Sequence, residues 1–74
     1  MKREKLSDRI KLLRVSSNLS QEALGNAVGF SKQAINDLEH GRRSTTADKL
    51  IIIADFFDVS IDYLLGRSDD PKRY

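Results

Sequence analysis

Residues 19–41, LSQEALGNAVGFSKQAINDLEHG, predict two short helices that pack across a tight glycine turn. Gly29 lies at the turn, where a positive φ is needed and glycine adopts it at the least cost. Gly25 lies inside the first helix, where glycine costs roughly 1 kcal/mol relative to alanine. A close crossing of the following helix would explain why Gly25 is tolerated. The buried seam predicted for this two-helix unit consists of Leu24, Val28, Ile35 and Leu38.

One local pattern recurs at three predicted helix starts: an apolar residue, a serine, and a second apolar residue five positions after the first. The serine can cap the helix by accepting a hydrogen bond from a backbone N–H two or three residues on. The two apolar residues can pack together as a hydrophobic staple. The three examples are Leu19-Ser20 before Leu24, Phe30-Ser31 before Ile35, and Val59-Ser60 before Leu64.

The remaining helices are predicted from apolar spacing. Leu6, Ile10 and Leu13, with Val15 as a further candidate, indicate a first amphipathic helix. The run at 51–53 could also be a buried strand, but no second strand-like segment exists to pair with it, so a helix is favoured. The sequence therefore predicts an all-α fold, a compact five-helix domain over residues 1–66 with a polar C-terminal tail at 67–74. The helices are expected at about 4–16, 21–28, 32–39, 46–57 and 61–65.

Length and composition exclude several classes of protein. At 74 residues, with 39% hydrophobic and 32% charged side chains, the chain is expected to form one small domain. It has no cysteine, and its single histidine, His40, has no Ser or Cys partner in a recognisable motif. We therefore expect no metal, no cofactor and no catalysis. The apolar run at 50–54 is too short to span a membrane, and no signal peptide is recognisable, so a cytoplasmic location is expected.

Charge is unevenly distributed although the net charge is only +2. Residues 1–43 hold nine Lys/Arg and five Asp/Glu, whereas residues 44–74 hold four and six. The basic half contains the two-helix unit, which fits a surface that faces phosphate groups. The alternative is an ordinary solvated surface with a chance asymmetry.

The two-helix unit resembles the helix-turn-helix of the lambda/434 repressor and Cro-like (Xre-like) regulators of phages and bacteria. A small residue, the turn glycine, Ile and Leu stand at offsets 0, 4, 10 and 13 from Gly25. The resemblance covers residues 10–65. It is carried by Arg14 and by LSQEAL at 19–24, VGFSKQAI at 28–35, LEHG at 38–41 and LIIIADFFDVSIDYLLG at 50–66. It implies a lambda-repressor-like DNA-binding domain.

The resemblance implies that the helix at 32–39 enters the major groove of double-stranded operator DNA. Lys32, Gln33 and Asn36 would read base edges, with Gln33 suited to adenine and Lys32 to guanine. A merely solvated first turn is the alternative. Asp37 is also placed among the base-reading residues, although phosphates would repel its carboxylate. It would either accept a hydrogen bond from cytosine N4 or point to solvent.

Other residues are expected to position the protein without reading sequence. Phosphate contacts or a positioning role are implied for Gln21, Ser31, His40, Arg42 and Arg43. Arg14 and Glu39 resemble the family's ion pair between the first helix and the end of the recognition helix, a structural role. The segment RRSTTAD at 42–48 lacks the proline that is common there in the family, which leaves its loop geometry and phosphate contacts open.

These features predict a sequence-specific transcriptional regulator, expected to be a repressor that binds an inverted-repeat operator as a homodimer. Ile52 and Phe56 would lie on the outer side of their helix, as core edge or as a dimer contact, and Tyr63, Leu65 and Tyr74 could extend a dimer surface. The alternative is a protein-interaction module on the same fold, such as an antitoxin or a regulator antagonist. No membrane contact and no small-molecule ligand are expected, and the location would be the nucleoid of a bacterium or phage-infected host.

Overall fold

Five helices form the described part of the chain, which in this computed structural model is residues 5–72. They are α1 (Leu6–Ser16), α2 (Gln21–Val28), α3 (Lys32–Glu39), α4 (Ala47–Phe57) and α5 (Ile61–Leu64). No strand occurs within 5–72, so the predicted all-α fold with five helices is confirmed. The expected bounds 46 and 65 differ by one residue because Thr46 and Leu65 are the capping residues of α4 and α5. Residue 4, the expected start of the first helix, lies outside the described residues, and α1 begins later, at Leu6, after the extended capping residue Lys5.

Hydroxyl side chains cap four of these helices. Ser20, Ser31 and Ser60 each accept a hydrogen bond from the backbone N–H three residues on, at 2.9, 3.0 and 3.0 Å. Thr46 does the same at 3.3 Å. Each cap satisfies one N–H group that the first turn of a helix leaves without an intrahelical partner. The three predicted serine caps are confirmed, and they place the starts of α2, α3 and α5.

The core lies where the five helices converge. All four residues of the predicted seam are buried. They belong to a buried hydrophobic cluster that consists of Ile10, Leu24, Val28, Ile35, Leu38, Ile53, Ala54, Val59 and Leu64. The expectation that Val15 joins the apolar stripe of α1 is wrong, because its side chain is 54% exposed. Val15 follows Ile10 by five positions, which turns it more than a third of a turn away from the buried face.

The turn between α2 and α3 depends on two glycines for different reasons. Gly29 has φ 81°, the predicted positive value. A Cβ added at Gly25 would lie 2.5 Å from the backbone oxygen of Phe30, and the Phe30 N–H donates to the Gly25 carbonyl at 2.8 Å. The close approach that was expected at Gly25 is therefore made by the turn backbone just before α3.

Residues 67–72 return to the body of the domain. The N–H groups of Arg67 and Ser68 donate to the carbonyl oxygen of Asp62 at 2.8 and 3.2 Å, and the Ser60 N–H donates to that of Pro71 at 3.0 Å. The sequence predicted only a polar tail here. The segment is polar, but its backbone is hydrogen-bonded to α5 and to the residue that caps it.

A buried arginine joins the same segment to α1. Arg9 is almost fully buried, and its Nη2 donates to Asp69 Oδ1 at 2.7 Å. Its guanidinium carbon lies 4.0 Å from the centroid of the Tyr63 ring, within reach of a cation–π contact. Arg9 thus links α1, α5 and the C-terminal segment. Among residues 5–72, no helix combines the length and the apolar character that a membrane span requires.

Candidate nucleic-acid interface

The first turn of α3 presents polar side chains at the surface because the opposite face of the helix is held in the core. Ala34, Ile35 and Leu38 are buried, whereas Lys32 and Gln33 are exposed. The Ser31 cap fixes where the helix begins. Two side chains with hydrogen-bonding ends are therefore displayed from a helix that the core prevents from rotating.

Asp37 is the acceptor around which three of the predicted site residues gather. Gln33 Nε2 donates to Asp37 Oδ1 at 3.0 Å, one turn along the helix. Arg42 Nη1 lies 3.8 Å from Oδ1, and Arg43 Nη2 lies 3.9 Å from Oδ2. The Asp37 side chain is only 19% exposed. Of the two alternatives, the one in which Asp37 points away to solvent does not fit the free domain, because one amide and two guanidinium groups cover the carboxylate.

Asn36 is held on the side of α3 that faces α2. Its Nδ2 donates to Gln21 Oε1 at 3.3 Å, and its Oδ1 accepts from Arg42 Nη1, also at 3.3 Å. The side chain is half-buried. The structure therefore does not group Asn36 with Lys32 and Gln33 as a third displayed side chain, since both ends of its amide are already bonded within the protein.

A buried ion pair ties α1 to the end of α3. Arg14 Nε donates to Glu39 Oε2 at 2.6 Å and Nη2 donates to Oε1 at 3.0 Å, while Nη1 donates to the carbonyl oxygen of Leu19 at 2.8 Å. The Glu39 side chain is 1% exposed. Hydrogen bonding to Glu39 raises the pKa of the Arg14 guanidinium against the opposing effect of burial. The pair that the resemblance implied is thus formed, and the cation stays charged at any ordinary pH.

Gln21 connects this ion pair to the surface of α3. Its Nε2 donates to Glu39 Oε1 at 3.3 Å, while its Oε1 accepts from Asn36. Gln21 was expected to bind a phosphate, but both ends of its amide are engaged with the protein. A continuous chain of hydrogen bonds therefore runs from Arg14 through Glu39, Gln21 and Asn36 to Arg42. The resemblance implied the Arg14–Glu39 pair, but residue spacing did not predict that Gln21 contacts Glu39 and Asn36, which lie 18 and 15 positions away in the chain.

The segment after α3 carries the exposed cations. The side chains of Arg42 and Arg43 are 61% and 53% exposed. His40 Nδ1 lies 2.8 Å from the carbonyl oxygen of Asn36, and since a carbonyl only accepts, Nδ1 is the donor. The same oxygen also accepts from the His40 backbone N–H at 3.1 Å, so the imidazole adds a second hydrogen bond to a carbonyl of the last turn. His40 is the C-cap residue of α3 and lies close in the chain to the two arginines.

A cleft of about 350 Å³ separates the start of α3 from the start of α4. Ser31, Arg43, Thr46 and Lys49 are among its lining residues. The Lys49 ammonium lies 5.1 Å from the centroid of the Phe30 ring. Lys49 is a basic residue of this surface that the sequence analysis missed. Its position in the first turn of α4, three residues after the Thr46 cap, is the sequence feature that could have placed Lys49 on this surface.

The residues suggested as dimer contacts differ in how far they are exposed to solvent. Ile52 and Phe56 lie on the outer side of α4, with 42% and 43% of their surface exposed. Ile51, on the same helix, is exposed to a similar degree. Tyr63 and Leu65 are partly buried, and the Tyr63 ring packs against the core and beneath Arg9. Tyr74 lies outside the described residues.

The sequence of this chain matches a known protein family and several curated relatives. Residues 10–64 match the helix-turn-helix family. The uncharacterised HTH-type transcriptional regulator YobD of Bacillus subtilis is 38% identical over 63 residues, which are 85% of this chain and 56% of that protein. The control protein C.SmaI of Serratia marcescens is 34% identical over 65 residues, 88% of this chain and 77% of that protein. The chain spans about half the length of several curated relatives that it matches.

A solved structure resembles this chain both in fold and in sequence. The P22 c2 repressor, determined in complex with a synthetic operator, superposes with a TM-score of 0.82 at 29% identity. The match covers 88% of this chain and 98% of that one. With five helices in the same arrangement and the helix-turn-helix at 19–41, this chain belongs to the lambda-repressor-like (Xre-like) family of helix-turn-helix transcriptional regulators.

Proposed function

We propose that this domain binds double-stranded DNA at specific sequences, with α3 in the major groove, and thereby regulates transcription. The observation that carries the proposal is the exposed pair Lys32 and Gln33 at the capped first turn of α3, flanked by Arg42 and Arg43. A capped helix with bidentate side chains at its start matches the way helix-turn-helix proteins reach base edges. The P22 c2 repressor, which shares the fold, was determined on operator DNA.

Lys32 and Gln33 are the primary readers in this proposal. Lys32 can donate to guanine O6 or N7, and Gln33 can pair with adenine N6 and N7. A good bidentate pair discriminates between bases by roughly 1–3 kcal/mol. Asn36 would reach a base only after leaving Gln21 and Arg42, so its first role is to support α3.

The basic residues around α3 would contact the DNA backbone. Arg42 and Arg43 are exposed enough to reach phosphate groups, with His40 beside them and Lys49 across the cleft. Such contacts hold the protein in register without selecting bases. Gln21 would contribute mainly by bracing Asn36 against the buried Glu39.

We also infer that two copies act together on DNA. The apolar outer face of α4, with Ile52 and Phe56 exposed, is the surface proposed for pairing. A symmetric pair would place two recognition helices about one DNA turn apart, roughly 34 Å, and would read an inverted repeat. Occupying such a site within a promoter would repress transcription.

The same apolar face supports one other candidate function. Ile51, Ile52 and Phe56 are all more than two-fifths exposed, which suits a contact with a different protein as well as with a second copy. In that case the domain would serve as an interaction module, and the polar side chains of α3 would be incidental.

Selection of genome fragments bound at physiological salt tests the proposal. The wild-type chain is compared with Gln33→Ala and with Lys11→Ala, which truncates an exposed side chain of α1. We expect a shared palindromic site that wild type and Lys11→Ala select and that Gln33→Ala loses. Enrichment that survives Gln33→Ala would move the reading surface elsewhere. No enrichment by the wild type would favour the protein-interaction function, with Ile52 and Phe56 as the next residues to alter.

A further inference from the structure

We propose that Asp37 is a positioning residue that selects adenine through Gln33 and restrains Arg42 and Arg43 from binding unrelated DNA. The inference rests on the proposed function, since it concerns how the same surface chooses its site. It replaces a direct contact between Asp37 and a base with an action through three neighbouring side chains. Each of these side chains lies within 4 Å of the Asp37 carboxylate.

The first part of the argument concerns the orientation of the Gln33 amide. A carboxylate only accepts hydrogen bonds, so the NH₂ end of Gln33 must face Asp37, and the carbonyl end must face away from it. The bond from Nε2 to Oδ1 at 3.0 Å uses one of the two N–H groups. Gln33 is then left with one donor and one acceptor.

That remaining pattern matches adenine and not guanine. Adenine offers N7 as an acceptor and N6–H as a donor in the major groove, which Nε2–H and Oε1 satisfy together. Guanine offers two acceptors, O6 and N7, and would require both N–H groups of Gln33. With one N–H bonded to Asp37, the amide cannot supply both. Asp37 therefore converts an adaptable amide into a reader of adenine.

The second part concerns charge. Arg42 and Arg43 are more than half exposed, so burial does not keep them from phosphate groups. The Asp37 carboxylate lies 3.8 and 3.9 Å from them and competes with any phosphate for both guanidinium groups. Non-specific affinity for DNA comes almost entirely from such phosphate contacts. A carboxylate at this point lowers non-specific binding and leaves the bidentate base contacts to favour the correct site.

Two substitutions separate these effects. Asp37→Asn keeps a side-chain oxygen that accepts from Gln33 but removes the charge, whereas Asp37→Ala removes both. Their affinities are measured for three duplexes: the selected site, the same site with guanine in place of the base that Gln33→Ala ceases to select, and an unrelated sequence. Each titration is repeated between about 50 and 200 mM salt. Circular dichroism of each variant verifies that the helices are retained.

We expect both variants to bind the unrelated duplex more tightly, with a salt slope steeper by about one. Asp37→Asn keeps the adenine-to-guanine ratio, and Asp37→Ala lowers it by about tenfold. In the free protein, the Gln33 side-chain N–H proton that is bonded to Asp37 exchanges with solvent more slowly than the same proton of an unbonded glutamine, and only Asp37→Ala removes that protection.

Several results overturn the inference. A wild-type preference for guanine at the Gln33 position contradicts it, as does an adenine-to-guanine ratio that Asp37→Ala leaves unchanged. Unchanged binding of the unrelated duplex by Asp37→Asn removes the restraining role. In each of these cases the wild-type protein still selects a DNA site, so the inference fails while the proposed function stands. A wild type that selects none overturns the proposed function together with the inference.

Discussion

Gly25 and Gly29 lie four residues apart, and a side chain is disfavoured at each for a different physical reason. At Gly29 the backbone has φ 81° and no atom lies within 4 Å of an added Cβ, so only conformational strain opposes a side chain. At Gly25 the backbone is ordinary helix, and the obstacle is the Phe30 carbonyl 2.5 Å away. A backbone oxygen cannot move aside as the end of a flexible side chain can.

Substituting the two glycines should therefore have different costs. Gly25→Ala replaces a poor helix former with the best one, yet we expect it to destabilise the domain by about 1–3 kcal/mol, because the turn must shift to admit the methyl group. Gly29→Ala should cost roughly 1–2 kcal/mol through its left-handed backbone alone. Urea unfolding measures both. Asn26→Ala, exposed on the same helix, is the control, and equal stability of Gly25→Ala and Asn26→Ala would contradict the steric argument.

The Arg14–Glu39 pair should behave as a unit. Removing either partner leaves the other buried charge uncompensated, so Arg14→Met and Glu39→Leu should each destabilise by about 3–5 kcal/mol. The double substitution should cost much less than the sum, because no charge is then left unpaired. A double-mutant cycle in urea gives the coupling energy. Additive losses would mean that the two side chains stabilise the fold independently.

Among the helices, N-terminal capping decides where each one begins, while tertiary contacts decide which face of a helix is buried in the core. The serine at each of three helix starts lies next to the N–H that it bonds, so the signal is local. In α4 apolar residues cover most of the helix, and spacing does not show that Ile53 and Ala54 turn inward while Ile51 and Ile52 turn outward. Contacts with α2 and α5 make that choice.

The caps of α3 and α5 offer a matched comparison. Ser31→Ala and Ser60→Ala each remove one N-cap hydrogen bond of 3.0 Å, and each should destabilise the domain by about 0.5–2 kcal/mol. Only Ser31 caps the helix proposed to enter DNA, so Ser31→Ala should also weaken binding to the selected site. Thermal unfolding and DNA titration test the pair. Equal loss of affinity in both variants would mean that general stability, not the start of α3, sets the affinity.

For the whole molecule, the return of residues 67–72 to the body of the domain is the main departure from the predicted organisation. The buried Arg9 of α1 contacts Tyr63 and Asp69, and the backbone of the segment is hydrogen-bonded to Asp62 and Ser60. A proposed domain boundary at residue 66 would divide these contacts. We propose that the folded unit includes the segment.

Truncation after Gly66 tests the extent of the folded unit. The truncated chain loses three backbone hydrogen bonds between the segment and residues 60–62, each worth about 0.5–1.5 kcal/mol, so we expect a loss of roughly 2–4 kcal/mol. Asp69→Ala should cost only a small part of that, since its side chain is almost fully exposed. Urea unfolding distinguishes the two. Undiminished stability of the truncated chain would show that residues 67–74 are a tail that the domain does not need.

The distribution of charge over the molecule predicts how DNA binding responds to salt. The logarithm of the affinity should fall linearly with the logarithm of salt concentration, with a slope of about 0.9 for each phosphate neutralised. Lys49→Ala should reduce the slope by about that amount for specific and unrelated DNA alike. Lys11→Ala, at an exposed site outside the cleft, should leave it unchanged. Fluorescence titration across salt concentrations gives these slopes.

The helix starts, the turn glycine, the buried seam and the exposed pair Lys32 and Gln33 could all be predicted from the order of the residues. Each depends on residues that lie close together in the chain, at most on two consecutive helices, so residue type and spacing are sufficient. Three contacts depend on how the helices pack: Asn36 faces Gln21, Gln21 joins the predicted Arg14–Glu39 pair, and the C-terminal segment returns to Arg9. These contacts join residues 15 to 60 positions apart. No local pattern specifies such partners, because packing of the helices must first bring them together.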